Sequence, residues 1–433
     1  MADEKNWIRE AMFYHIYPLG FTGAPLRNEG EATAGGRILE VLDWIEHFKE
    51  LGINAIYFGP IFESVSHGYD TTDYYQTDSR LGSKEDFKKV FTALHENGIR
   101  VIVDGVFNHV GRKFFAFLDV QKNLEQSDYK DWFCNLNFSW QSPLGDSFSY
   151  ENWHGAAELV KLNLRNPAVC EHLLGAVGMW MDELGIDGLR LDAADCVDRE
   201  FFKRLHSFTK GKRGDFWLMG EIIHGDYRVW ANDEMLDSVT NYECWKGIYS
   251  SHNDKNYFEI AYSLKRQFGQ GGLYENLCLY NFLDNHDVNR IGSLLKQREN
   301  LKNAYTLLYM MPGIPSIYYG SEWGIEGVKG QGMDADLPLR PKLDLEEMCA
   351  QETDLPAHIR ELAKIRKESD AVKYGAYDEV LVRNKQFVFA RRSGEQYKVI
   401  ALNLTDHAET LHFSYQGKEY EVLLEAYTSK IME

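Results

Sequence analysis

The amino-acid sequence predicts an α/β fold: a (β/α)8 TIM barrel with a small inserted subdomain after strand 3 and an all-β C-terminal domain. Three observations carry that reading. Eight short runs rich in β-branched and aromatic residues recur with helical stretches between them, the alternation that βα units and a parallel sheet produce. From Val110 to about Val160 the rhythm lapses into a stretch rich in Phe, Trp, Asn and Ser, too long for a βα loop. Beyond about Val372 only strand-like alternation is left.

In chain order the runs are MFYHIYP from Met12, INAIYFGP from Ile53, IRVIVDGVFNH from Ile99 and IDGLRLDAA from Ile186. They continue with FWLMGEI from Phe216, SVTNYEC from Ser238, LCLYNFLDNHD from Leu277 and IPSIYYG from Ile314. Ile38 to Glu50 has apolar residues at helical spacing, and Lys84 to Asn97 repeats the pattern before a Gly98 stop. Eight strands with interposed helices imply a closed barrel, placed at residues 1–109 and 161–371. The irregular stretch, 110–160, would overhang one barrel face. EVLVRNKQFVFARR, QYKVIALNL and TLHFSY place the β-domain at 372–433.

A chain of 433 residues, 44% of them hydrophobic, can bury a large core and exceeds one ordinary small domain. Its formal charge of −19 argues against nucleic acid or an anionic membrane as partner, since both need a basic surface. Met1 to Glu10 is charged throughout and lacks the apolar centre of a secretory leader, and no run of about 18 apolar residues occurs elsewhere. The expectation is a soluble, cytoplasmic protein. The cysteines lack C-x-x-C spacing, which suits reduced thiols rather than a disulfide scaffold or zinc site. Core packing accounts for most of the aromatic residues, though sugar-binding clefts use the same rings as flat apolar platforms.

In such barrels the chemistry sits where strands end and βα loops begin, so polar residues closing apolar strands need a reason. Four runs close that way: the third with Asp104, Asn108 and His109, the fourth with Arg190 and Asp192, the fifth with Glu221, the seventh with Asn285, His286 and Asp287. One aspartate after a strand is most simply a helix cap. Four clusters at matching ends converge on one pocket. Cleaving a glycosidic bond needs this equipment: a carboxylate to attack or shield the anomeric carbon, and a carboxylic acid to protonate the departing oxygen. Crowded carboxylates raise the acid's pKa, while an arginine beside the nucleophile keeps it ionised. Arg190 stands two residues before Asp192, so both side chains face the same side of the sheet. The imidazoles of His109 and His286 could hydrogen-bond sugar hydroxyls and strengthen in an oxocarbenium-like transition state. Neither lies in a helical i, i+4 pair, and no residue is assigned to a metal; a buried structural histidine is the plain alternative.

Together these segments resemble the α-amylase family, glycoside hydrolase family 13, across nearly the whole chain. DGVFNHV is similar to the family's first conserved region, GLRLDAA to its second, GEI to its third and FLDNHD to its fourth. The resemblance implies Asp192 as nucleophile, Glu221 as general acid/base and Asp287 as transition-state stabiliser, with His109, Arg190 and His286 around the glucosyl ring. HGYD implies Tyr69 as the ring beneath that sugar, with His67 nearby, and DLPLRP from Asp336 implies that Asp336 and Arg340 hold the next glucose.

LVKLN, Leu159 to Asn163, resembles the MPKLN form of a fifth region found in the neopullulanase, cyclomaltodextrinase and maltogenic amylase group. GEIIH resembles the same group and adds His224 to the implied substrate contacts. The chain departs from it at Asp195, Cys196 and Ile223, where Asn, Glu and Trp are usual, so the balance between hydrolysis and transfer stays open. A first strand beginning by Met12 leaves out the group's N-terminal β-domain, and with it any inherited preference for cyclodextrins. No cofactor is required. Calcium, a common structural ion of the wider family bound partly through the Asn at position 108, finds no EF-hand-like loop here.

The implied function is retaining hydrolysis of short α-1,4-linked glucans, maltodextrins first and cyclodextrins within range, accompanied by transfer to acceptor sugars. α-Glucan oligosaccharides are the expected partners; the oligomeric state is open. The alternatives are a 4-α-glucanotransferase or an α-1,6-glucosidase of the same family and, from another class, a catalytically silent carbohydrate-binding protein. Silent members typically lose one of the three carboxylates, and this chain keeps all three.

Overall fold

Eight parallel strands share one sheet: β1 (Phe13–Ile16), β2 (Ala55–Phe58), β3 (Arg100–Gly105), β4 (Gly188–Leu191), β5 (Trp217–Gly220), β6 (Ser238–Val239), β7 (Tyr280–Phe282) and β8 (Ile314–Tyr318). The computed structural model describes residues 7–30, 36–332 and 334–433, so Met1 to Asn6, the first part of the stretch read for a leader, lie outside the described residues. The hydrogen-bonded order is β6-β5-β4-β3-β2-β1-β8-β7. An isolated parallel bridge between Thr240 and Tyr280 joins its two ends into a nearly closed barrel.

The strands read as unbroken apolar runs because helices cover the outside while side chains fill the inside. Alternate positions point inward. At the lower level these are Phe13, Ala55, Ile102, Trp217, Tyr280 and Ile314, one apolar cluster in which the Phe13 and Trp217 rings lie 5.4 Å apart. Gly188 on β4 belongs to the same level, where a Cβ would meet the Trp217 carbonyl oxygen at 2.4 Å. The next inward positions on several of these strands are polar: His15, Tyr57, Asp104 and Arg190. Chemistry therefore begins where the apolar plug ends.

Lys84–Glu96 is a helix opened by a capping box, in which Ser83 and Asp86 each accept the other's backbone N–H, and Gly98 follows at φ 72°. The stretch read as helical from Ile38 to Glu50 divides: Arg37–Trp44 is 3-10 and Ile45–Glu50 is α. SVTNYEC supplies only the two residues of β6, since Asn241 caps a helix, Tyr242–Asn253, that takes over its end. Within the irregular interval a three-stranded antiparallel sheet (His109–Gly111, Asn152–Trp153, Ala156–Lys161) packs with a helix, Phe115–Asn123. A hairpin after β2, Phe62–Ser64 with Thr71–Thr77, was not legible as strands in the sequence; it presents His67 and Tyr69.

Beyond the barrel come β9 (Ala376–Val382), β10 (Gln386–Ser393), β11 (Gln396–Asn403), β12 (Glu409–Tyr415), β13 (Lys418–Leu424) and β14 (Ser429–Met432). β9, β10, β11 and β14 form one antiparallel sheet, and β12 and β13 a hairpin that closes a separate apolar core against it. All six cysteines are free thiols. Among the described residues no helix is long and apolar enough to cross a membrane.

Candidate active site

A cleft of about 850 Å³ opens at the C-terminal ends of the barrel strands. At its floor lies Arg190, only 3% exposed. Its Nη1 donates to Asp104 Oδ1 (2.9 Å) and to Asp192 Oδ1 (3.0 Å), and its Nη2 pairs with Glu221 Oε2 at 2.7 Å. One guanidinium thus gathers carboxylates from β3, β4 and β5. The hydroxyls of Tyr57 and Tyr69 both donate to Asp104 Oδ2, at 2.8 and 3.1 Å. Directly after Asp192, Ala193 adopts a left-handed conformation (φ 42°, ψ 46°), a strained state for a residue with a Cβ. Its backbone N–H donates to Glu221 Oε2 at 3.3 Å, while Glu221 Oε1 accepts from the Tyr242 hydroxyl at 3.2 Å.

The opposite wall carries Asp287. Its Oδ2 is 3.0 Å from His286 Nε2, and its Oδ1 accepts from Arg340 Nη2 at 3.0 Å. Arg340 also holds Asp336 Oδ2 (3.1 Å) and the His286 carbonyl (3.0 Å), and its guanidinium lies 4.4 Å from the centre of the Tyr17 ring. The Tyr69 hydroxyl bonds His286 Nε2, and the two rings are nearly parallel. His109 Nε2 sits 3.8 Å from Asp192 Oδ2 without a hydrogen-bond partner.

Burial pushes the Asp192 carboxyl well above the usual range; Arg190 opposes this, and Glu221, Asp104 and Asp287 add to it. Asp287 goes the other way: burial would raise it, but His286, Arg340 and Arg190 together hold it well below the ordinary value. Arg190 keeps its proton despite burial because Asp104 and Glu221 face it. Burial pushes His109 down to about 3, so its imidazole is neutral across the physiological range.

The catalytic-domain model of the alpha amylase family matches residues 15–354. The chain belongs to the alpha-amylase family. This glycosidase of the family is related to cyclomaltodextrinases and maltogenic amylases. A cyclomaltodextrinase of Bacillus sp is 31% identical over 428 residues, spanning 94% of this chain and 74% of that one. An intracellular maltogenic amylase of Bacillus subtilis is 31% identical over 386 residues, 85% of this chain and 63% of the relative. The ligand-free cyclic α-maltosyl-(1→6)-maltose hydrolase of Arthrobacter globiformis superposes with a TM-score of 0.86 at 25% identity, over 99% of this chain and 98% of that one.

Within this alpha-amylase fold the cleft brings together Tyr69, His67, His109, Asp192, Glu221, Asp287, Asp336 and Arg340, above Arg190 and beside His286. His224 is exposed, next to Ile223, which lines the cleft, while Ile222 turns into the core and Gly225 follows at φ 108°. Sequence reasoning missed Tyr17 and Tyr242, which hold Arg340 and Glu221 from the ends of β1 and β6. The aromatic tail of MFYHIYP was the one available signal for Tyr17.

In the wider family calcium is bound partly at the asparagine that stands here as Asn108. Asn108 Oδ1 is buried without a partner, but its amide nitrogen meets His109 Nδ1 at 3.1 Å. Lys161, paired with His109 across the sheet, turns its ammonium to Glu151 Oε1 at 2.6 Å. Among the described residues no group of three or more His, Cys, Asp or Glu side chains could hold a metal ion.

The buried imidazoles make a testable demand on stability. His109 and His252, held by burial at about 3 and about 4, must gain a proton on unfolding once the pH falls below the ordinary histidine value near 6.5. The unfolded chain then binds more protons, so stability is full above that pH and declines below it. Between pH 6.5 and 5 the loss is about 2 kcal/mol for each of the two. A thermal-unfolding series over that window should show a falling midpoint, steeper in Asp192→Asn, because the raised Asp192 carboxyl works in the opposite sense. A flat midpoint in both would contradict neutral buried histidines.

Proposed function

We propose that this glycosidase hydrolyses short α-1,4-linked glucans, maltodextrins first and cyclodextrins as further substrates, with retention of anomeric configuration and some transfer to acceptor sugars. Asp192 is the nucleophile, Glu221 the general acid/base and Asp287 the transition-state stabiliser. The observation that carries the reading is the Arg190 fork, which bonds Asp192 and Glu221 at once. That favours the carboxyl spacing of about 5–5.5 Å used for direct attack over the wider spacing that admits a water between sugar and base.

Asp192 Oδ1 is engaged by Arg190, which leaves Oδ2, facing the unpartnered His109, to attack the anomeric carbon. As the C1–Oδ2 bond forms, the glycosidic C1–O bond breaks and Glu221 gives its proton to the departing oxygen. A water then gives a proton back to Glu221 and attacks C1, releasing Asp192; a sugar hydroxyl in its place yields transfer. Positive charge on the ring between these steps is met by Asp287, which stays ionised under the pull of His286 and Arg340. Tyr69 lies beneath the sugar with His67 nearby, His109 and His286 bear on its hydroxyls, and Asp336 and Arg340, which line the same cleft, take the next glucose. The chemistry needs no cofactor. The free thiols and the likeness to an intracellular maltogenic amylase support a cytoplasmic enzyme.

A second reading, cleavage of α-1,6 links, is favoured by the likeness to a hydrolase of cyclic α-maltosyl-(1→6)-maltose. Proton NMR of fresh digests of maltotriose and panose tests both. The expected first product of maltotriose is the α-anomer, with panose turned over more slowly. A β-anomer appearing first would end the retaining mechanism, and loss of panose without maltotriose would select the α-1,6 reading.

A further inference from the structure

At the end of the barrel opposite the cleft, just before β8 begins, two arginines meet without an acid between them. Arg366, on the helix Leu355–Glu368, donates through Nη1 to the Tyr309 carbonyl at 2.9 Å and through Nη2 to that of Gly313 at 2.6 Å. Arg391, on β10 of the C-terminal domain, donates through Nη1 to the Met310 carbonyl at 3.0 Å and through Nη2 to that of Gly375 at 2.7 Å. Tyr309 and Met310 close the helix Leu301–Met310, so the two guanidiniums crowd onto consecutive carbonyls of one helix end. Those carbonyls have no partner within the helix and carry the negative end of its dipole, which draws cations. The dipole supplies about half an elementary charge, against two full ones.

The rest of the balance is missing. Arg366 is 1% and Arg391 2% exposed, and the Nε–H of each has no hydrogen-bond partner among the described residues. The titratable groups that act on the pair are Cys278, Tyr309, Tyr374 and Arg9, with no carboxylate among them. Glu10, beside Arg9 in the chain, accepts from the Tyr374 hydroxyl instead. Cys278 does not supply the charge, because burial pushes its thiol above the ordinary value. Both arginines nonetheless keep their protons at neutral pH: burial and then the charge of Arg366 pull Arg391 down to about 9, and burial pulls Arg366 down to about 10. Nor can the carbonyls that hold them draw back, since a Cβ at Gly313 would meet the Leu279 carbonyl oxygen at 2.5 Å and one at Gly375 that of Ala371 at 2.2 Å. A buried charge left unmatched is costly. We infer that a small monovalent anion of the chloride class binds between Arg366 and Arg391, accepting from their unpaired N–H groups and tying the C-terminal domain to the barrel. Near-complete burial leaves no opening for a sugar phosphate or nucleotide, and guanidinium N–H groups have no lone pair to offer a cation.

The test is the melting temperature of the full chain with chloride exchanged for gluconate at constant ionic strength, in the native protein, Arg366→Met and Arg391→Met. Raising chloride from none to about 200 mM should lift the native value by about 2 °C, and each variant should lose that gain. A native protein indifferent to chloride would overturn the site, and so would a gain that survives in either variant. If neither variant folds, crystals of the native protein soaked in bromide decide. An anomalous peak in contact with both Arg366 and Arg391 supports the site; bromide found only elsewhere overturns it.

Discussion

Asp192→Asn should lower kcat on maltotriose by a factor on the order of 10⁴–10⁶, with little change in melting temperature. The amide is isosteric and can still accept from Arg190 Nη1, so the floor of the cleft keeps its shape. What disappears is the lone pair that forms the bond to C1. Glu221→Gln loses something different, the proton for the leaving oxygen, so its deficit should shrink with the leaving group's need for that proton. A p-nitrophenyl α-glucoside, whose phenolate departs unaided, is expected to recover most of the first step in Glu221→Gln and none in Asp192→Asn. Azide, which attacks without base assistance, should then release α-glucosyl azide from Glu221→Gln alone. The same response of both variants to leaving group and azide would show that the two carboxylates have been assigned wrongly.

The parts of this site that strand periodicity alone could predict share one cause. Asp104, Arg190, Asp192 and Glu221 continue the inward face of apolar strands, so the period of two that fills the barrel also aims them at one point. His286 and Asp287 follow β7 closely enough for the same reasoning to reach them. Residues supplied by turns escaped it. Tyr242 opens a helix within a run that looked like a strand, and the hairpin bearing His67 and Tyr69 alternates too irregularly, with register shifts at Glu63, to be read as paired strands. The left-handed turn at Ala193, directly after Asp192, has no mark in sequence, since alanine seldom adopts that conformation.

Arg190 carries the second large effect. It is buried, and among the described residues it is the one cation that touches Asp104, Asp192 and Glu221 together. Arg190→Met would leave three carboxylates facing one another in a dry floor, and removing one partner of such a cluster costs about 3–5 kcal/mol. Part of that cost is relieved by protonation, and Asp192 is the group whose pKa already leans upward. The sign follows: without Arg190 the nucleophile needs a higher pH to ionise, so the acid limb of kcat/KM should move to higher pH by one unit or more, with kcat at pH 6 down by about 10³. Arg190→Lys should recover less than its charge suggests, because one ammonium cannot span the distance that the fork spans from Asp192 to Glu221. The measurement is a pH–rate profile on maltotriose beside a thermal-unfolding curve for each variant. A fall in melting temperature with the acid limb unmoved would make Arg190 a structural pillar only and would overturn its role in ionising Asp192.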